Sequence, residues 1–137
     1  MKKIDAQKKF LKDTVDFFSE DTNRRAVIQV TLAGFGLVTH PSCKYRTSDG
    51  RKCAIGLHIP DKKYVSDIEG DTAYSERVLN VLPKSIQKLG KHFLTAVQQL
   101  HDNHDYWNES GLTKDGLFTL NEIETRIESN YYDTLGN

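Results

Sequence analysis

Between Cys43 and Gly70 the chain reads CKYRTSDGRKCAIGLHIPDKKYVSDIEG, and the Asp49-Gly50 step inside it constrains the fold more than any other pair of residues. An Asp-Gly step between segments of strand-like composition asks for a tight reversal with a left-handed glycine. If Ser48-Asp49-Gly50 is a three-residue loop with Gly50 left-handed, Tyr45 pairs with Cys53 and Cys43 with Ile55. That register turns Cys43, Tyr45, Cys53, Ile55 and Leu57 to one buried face. Lys44, Arg46, Lys52, Ala54, Gly56 and His58 then point the other way, as a basic face of small residues. Pro60 ends the second strand because it has no N–H for a ladder.

Helical periodicity brackets this segment. Ile4, Phe10, Leu11, Val15, Phe17 and Phe18, with Lys and Asp between them, predict an amphipathic helix over 3–18. The caps at Ser19–Asn23 lead into RRAVIQVTLAG, which reads as a helix ended by Gly34, with a strand as the alternative offered by its β-branched residues. A short helix over 73–82 stops before Pro83. Ile86, Leu89, Phe93, Val97 and Leu100 mark a central helix over about 85–103, leaving Lys88, Lys91, Thr95 and Gln99 outside. Thr119-Leu-Asn-Glu122 is a capping box for a last helix with Leu120, Ile123, Ile127 and Tyr131 on one side. The expected architecture is α+β, a short antiparallel hairpin sheet packed against several helices.

A chain of 137 residues makes one domain and buries enough surface to need no staple. The longest weakly polar run, Ala26–Val38, is interrupted by Gln29 and Thr31 and falls short of the roughly 20 apolar residues that cross a bilayer. The start, MKKIDAQKKF, has no apolar h-region, so it does not read as a secretion signal, and a cytoplasmic location is expected. There the two cysteines are thiols or metal ligands before they are a disulfide. Net charge is zero but uneven: residues 1–63 carry 13 Lys/Arg against 7 Asp/Glu, and residues 64–137 carry 6 against 12. Attraction between the halves explains this without a partner. Such cancellation disfavours a nucleic-acid binder, whose affinity needs clustered, uncancelled cations.

The string C-x-Y-R-x-x-D-G-x-x-C-A-x-G-x-x-I-P-D-x-x-Y-x4-E-G is carried by Cys43, Tyr45, Arg46, Asp49, Gly50, Cys53, Ala54, Gly56, Ile59, Pro60, Asp61, Tyr64, Glu69 and Gly70. It resembles a widespread family of small proteins encoded by bacteria and their phages. The family pattern continues with L-Q-x-x-H-D and a Trp; here the order is Gln98, Gln99, Leu100, His101, Asp102, then Trp107. The resemblance covers about 24–107, leaving the N-terminal helix (1–20) and a C-terminal helical extension (108–137) outside it. It implies no particular activity. It does imply a phage or mobile-element setting, in which small proteins often bind and disable a host factor.

Several clusters invite chemistry. His40, Cys43, Cys53 and His58 are the right types for tetrahedral zinc, but the hairpin register puts His58 opposite the thiols, so two buried structural cysteines are preferred and no cofactor is expected. Cys53 as a nucleophile, with His101 as base and Asp102 orienting it, has no local support. Gly111–Glu122 imitates part of a calcium loop, but Gly111 stands where the leading carboxylate belongs, so a turn feeding a capped helix is the better reading. Arg46, Arg51 and Lys52, with Tyr45 and Tyr64 nearby, make the most credible binding surface, suited to phosphate or carboxylate. The expectation is a non-enzymatic binding protein that holds a host protein surface or an anionic, nucleotide-like small molecule. The alternatives are a zinc- or cysteine-dependent enzyme centred on Cys53 and His101, and a structural subunit. Homo-oligomerisation is open, and no membrane partner is expected.

Overall fold

Helix α1 (Lys3–Glu20) lays Gln7, Phe10, Leu11, Thr14 and Phe18 into the core, and Lys9–Asp13 and Lys12–Asp16 ion pairs brace its outer side at i,i+4 spacing. The computed structural model describes residues 1–31 and 39–136. Val15 is half-buried and Phe17 lies 37% exposed, stacked edge-on to Phe18 and covered by the Arg24 guanidinium.

The chain is α+β, as expected, but its main sheet is built elsewhere. The segment expected as a helix after Asn23 is a single 3-10 turn (Thr22–Arg24) followed by strand β1 (Val27–Thr31). Gly34, its expected end, lies outside the described residues. The β-branched Val27, Ile28, Val30 and Thr31 are stiff at χ1 and fit a pleated strand better than a helix. β1 pairs antiparallel with β2 (Thr39–Cys43), Val27 opposite Cys43.

Cys43 therefore does not pair with Ile55. The reversal at Asp49-Gly50 is real: Gly50 has φ +89°, Arg46 bridges Lys52, and Cys53 N–H donates to the Tyr45 carbonyl at 3.2 Å. This is the register expected for Tyr45 and Cys53. It lasts only that far, because Leu57 N–H turns back onto the Cys53 carbonyl and Gly56–His58 form a 3-10 turn. Gly56 presses on Tyr45 so closely that a Cβ would sit 2.1 Å from the Tyr45 carbonyl oxygen. The alternating faces are consequently lost: Ala54 and Gly56 are buried beside Cys53 and Ile55, while Cys43 and Leu57 are only half-buried. Further 3-10 turns at Asp61–Lys63 and Ser66–Ile68 lead to helix α2 (Glu76–Asn80).

The central helix is broken. α3 (Lys84–Gln87) ends before Gly90, whose φ of +95° no side chain tolerates well, and α4 (Lys91–Asp102) starts after it. α4 buries Phe93, Leu94, Thr95, Val97, Leu100 and His101, so Thr95 faces inward where the periodicity put it outside. Gln7 of α1 closes the break by donating to the Leu89 carbonyl at 2.9 Å.

A two-residue ladder, β3 (Trp107–Asn108) with β4 (Gly111–Leu112), leads into α5 (Lys114–Glu128). Its cap is Thr113, whose hydroxyl accepts from Gly116 N–H at 3.2 Å, not Thr119, which lies inside the helix. The calcium-like residues are thus a strand, a cap and a first turn. Asn130, at φ +59°, ends α5 and resets the face, so that α6 (Tyr131–Thr134) buries Tyr132 and leaves Tyr131 40% exposed. Phe10, Phe93 and Tyr132 meet edge to face at the centre of the core. Lys3–Asp133 at 2.6 Å and the Lys8–Glu128 pair join the basic half of the chain to the acidic one.

Candidate functional site

The five residues expected to bind an anion occupy two environments. Glu69 organises the first: its carboxylate accepts from Tyr45 N–H at 2.9 Å, Arg46 N–H at 3.1 Å and the Tyr64 hydroxyl at 2.6 Å. Tyr45 is 2% exposed and donates its hydroxyl to the Asp71 carbonyl. The Arg46 guanidinium lies 4.6 Å over the Tyr64 ring, donates to the Ile59 carbonyl at 2.7 Å and pairs with Asp61 at 2.9 Å, where Lys52 also reaches at 3.7 Å. Burial and the Glu69 bond push the Tyr64 phenol up to about 12. Arg51 turns away, bonding Asp49 and the carbonyls of Arg25 and Val27 at 3.0 Å each. Gly50 and Gly70, at φ +89° and +90°, permit the two reversals. Each cation here already holds an acceptor from its own chain.

The thiols and histidines also separate. Cys53 is fully enclosed, its Sγ accepts from Gly56 N–H at 3.2 Å, and burial pushes its thiol up to about 12. His101 is 1% exposed: Nδ1–H donates to Asp102 at 2.7 Å, Nε2 takes the Ala26 N–H at 3.4 Å, and its ring lies edge-on to Phe18. Burial lowers its pKa against the opposing pull of Asp102, and Nε2, accepting from Ala26 N–H, carries no proton. The thiol near this pair is Cys43, which donates to the Asp102 main-chain carbonyl at 3.4 Å and is also raised to about 12 by burial and then by Asp102. His58 packs its ring 4.8 Å from Phe10. The His40 side chain lies outside what is described. Among the described residues, no three His, Cys, Asp or Glu side chains cluster as a metal would require.

A separate group of lysines without carboxylate partners lies around one concavity. A cleft of about 560 Å³ opens where α2, the α3–α4 break and the start of α1 meet, and Lys3, Lys84, Lys88 and Lys91 line it with one carboxylate, Glu76. Lys3 is paired with Asp133; Lys84, Lys88 and Lys91 form no salt bridge with any described carboxylate. Gly90, which also lines the cleft, begins α4 without a side-chain cap, so no side chain accepts from the first main-chain N–H groups of that helix. Tyr74, 47% exposed, offers a ring face at the wall, its hydroxyl held by His92 Nδ1 at 3.1 Å. Phosphate chemistry suits such a cleft: positive field, main-chain donors at a helix start and an aromatic surface. The sequence holds a signal for it in Lys84, Lys88 and Lys91, at i, i+4 and i+7, but it sits in the half with twice as many acids as bases.

No protein-family model matches the chain, and no curated protein or solved structure proves similar to it.

Proposed function

We propose that this chain is a non-enzymatic binding protein that captures an anionic, nucleotide-like ligand in the lysine cleft, with Tyr74 against the ligand's ring and Lys84, Lys88 and Lys91 against its phosphates. The observation that carries the reading is three lysines without carboxylate partners around one concave site beside a half-exposed aromatic ring. Thiols held near 12 and a buried neutral histidine favour binding over catalysis. The resemblance to phage-encoded proteins suggests the setting: the cytoplasm of a bacterial host, where sequestering a host or defence molecule would be the effect.

Calorimetric titration with pyrophosphate and with a nucleoside diphosphate tests this. Replacing Lys84, Lys88 and Lys91 singly by Ala should weaken binding about tenfold each, the loss of one charge-assisted contact worth ~1.5 kcal/mol. Arg46→Ala with Arg51→Ala should leave it unchanged. Loss of binding only in the arginine variant would return the site to the hairpin; no binding to either probe would end the reading.

A protein surface is the second reading, favoured by Leu117 and Phe118, which stand 49% and 65% exposed on α5. Phe118→Asp abolishing a host phenotype that the lysine variants retain would select it.

A further inference from the structure

A second, smaller pocket, of about 170 Å³, lies between α4 and the segment around Gly70, walled by Cys43 and Tyr45. Five residues of the motif string and its continuation meet there: Cys43, Tyr45, Gly70, Gln98 and Asp102. Its lining contains two carboxylates and no Lys, Arg or His. The two carboxylates differ. Asp71 is occupied by Ser75 Oγ at 3.1 Å and Arg77 Nε at 3.0 Å. Asp102 gives one oxygen to His101 Nδ1–H, and that imidazole, neutral through burial, adds no charge.

Arg25, whose charge reaches Cys43 and Asp102, is not in the lining: its Nε donates to the His101 carbonyl at 2.8 Å and its guanidinium lies over Trp107. The remaining wall groups are mostly acceptors or ambivalent. Thr95, which also lines the pocket, is 7% exposed, and its hydroxyl has no hydrogen-bond partner. A buried hydroxyl left unpaired marks a place where a partner is missing.

We infer that this pocket binds a small donor-bearing cation, a guanidinium or alkylammonium head group, between the Asp102 carboxylate, the Gln98 and Gln99 amides and the Thr95 hydroxyl. An anion would face Asp102 with no lining cation to offset it. An uncharged acceptor would leave the carboxylate unmatched. The space equals roughly six waters' share of liquid volume, enough for such a head group and a short stem but not for a nucleotide. The site uses other residues than the lysine cleft and the opposite charge, so each stands or falls alone.

The test is an amide ¹H–¹⁵N NMR titration of the whole chain with methylguanidinium chloride, against sodium chloride at equal ionic strength. Saturable shifts confined to Gly70, Thr72, Thr95, Gln98, Gln99 and their neighbours are expected. Asp102→Asn should weaken them about tenfold, through loss of the charged acceptor. Gln99→Arg, which supplies a guanidinium from the chain itself, should abolish them with the fold intact. If Asp102→Asn fails to fold, Thr95→Val takes its place, with weakening of severalfold expected. Shifts that do not saturate, that scatter over the acidic surface, or that persist unchanged in the variants overturn the proposal. Agmatine and N-acetyl-arginine methylamide then separate the two sources of this chemistry. Preference for agmatine identifies a free polyamine-like metabolite, and equal or tighter binding of the arginine amide identifies a partner's side chain.

Discussion

The hairpin around Glu69 and the cleft above the α3–α4 break both carry several cations and a tyrosine, yet they differ in how far the chain itself already pairs those cations. In the hairpin, Arg46 rests on Tyr64 and answers to Asp61 and the Ile59 carbonyl, and Arg51 answers to Asp49 and two carbonyls. In the cleft, Lys84, Lys88 and Lys91 line one concavity together with Tyr74 and hold no salt bridge to a described carboxylate. The difference teaches that a basic run becomes a binding surface only when the fold withholds its acceptors. A guanidinium fork is the better structural clamp because it bonds several carbonyls at once, whereas lysine's ammonium stays hydrated at the end of a flexible stem.

The comparison breaks most easily at Gly56. Gly56→Ala places a methyl against the Tyr45 carbonyl and should cost about 3 kcal/mol or more in urea denaturation, since the clash is with backbone. A cost under ~1 kcal/mol would mean that the hairpin is loosely held. Glu69→Ala removes the acceptor of two main-chain N–H groups and a phenol, and a loss of about 2–4 kcal/mol is expected, with pyrophosphate binding intact once the protein is folded. If binding fell with stability, knot and cleft would be one unit.

A pH series sharpens the contrast through two histidines packed in the core. His101 and His58 both have pKa values lowered by burial. The unfolded chain therefore binds more protons than the folded one as pH falls below about 6.5, so stability is full above that value and is lost as pH drops toward the lowered folded values. Denaturation midpoints at pH 7.5 and 5.5 should differ in that direction, and less so in His58→Phe. A flat profile would place these rings in water. Changing Lys84, Lys88 and Lys91 together to Glu should alter stability by no more than about 0.5 kcal/mol, as for exposed side chains without partners. A larger loss would make the cleft as structural as the hairpin.

Much of this architecture is legible in residue patterns. The apolar stripe of α1, the Asp49-Gly50 reversal, the Tyr45–Cys53 register and the burial of Cys53 all follow from period and turn chemistry, which act over a few residues. Where local signals conflicted, contacts made far along the chain decided. The caps at Ser19–Asn23 pointed to a helix and the β-branched residues after them to a strand, and Cys43, sixteen residues beyond Val27, settled it. The apolar stripe from Ile86 to Leu100 ran through Gly90 without betraying that the helix is broken there.

For the candidate site the division is sharper. The types and spacing of charged residues were in the amino-acid order from the start, including Lys84, Lys88 and Lys91 at i, i+4 and i+7. Which cation meets a carboxylate depends on groups brought together from distant positions, such as Arg46 with Asp61 and Tyr64, or Lys3 with Asp133. Side-chain identity sets how much charge the chain carries. Only tertiary packing decides how much of it is left unspent, because electrostatic pairing and desolvation act through space and not along the backbone.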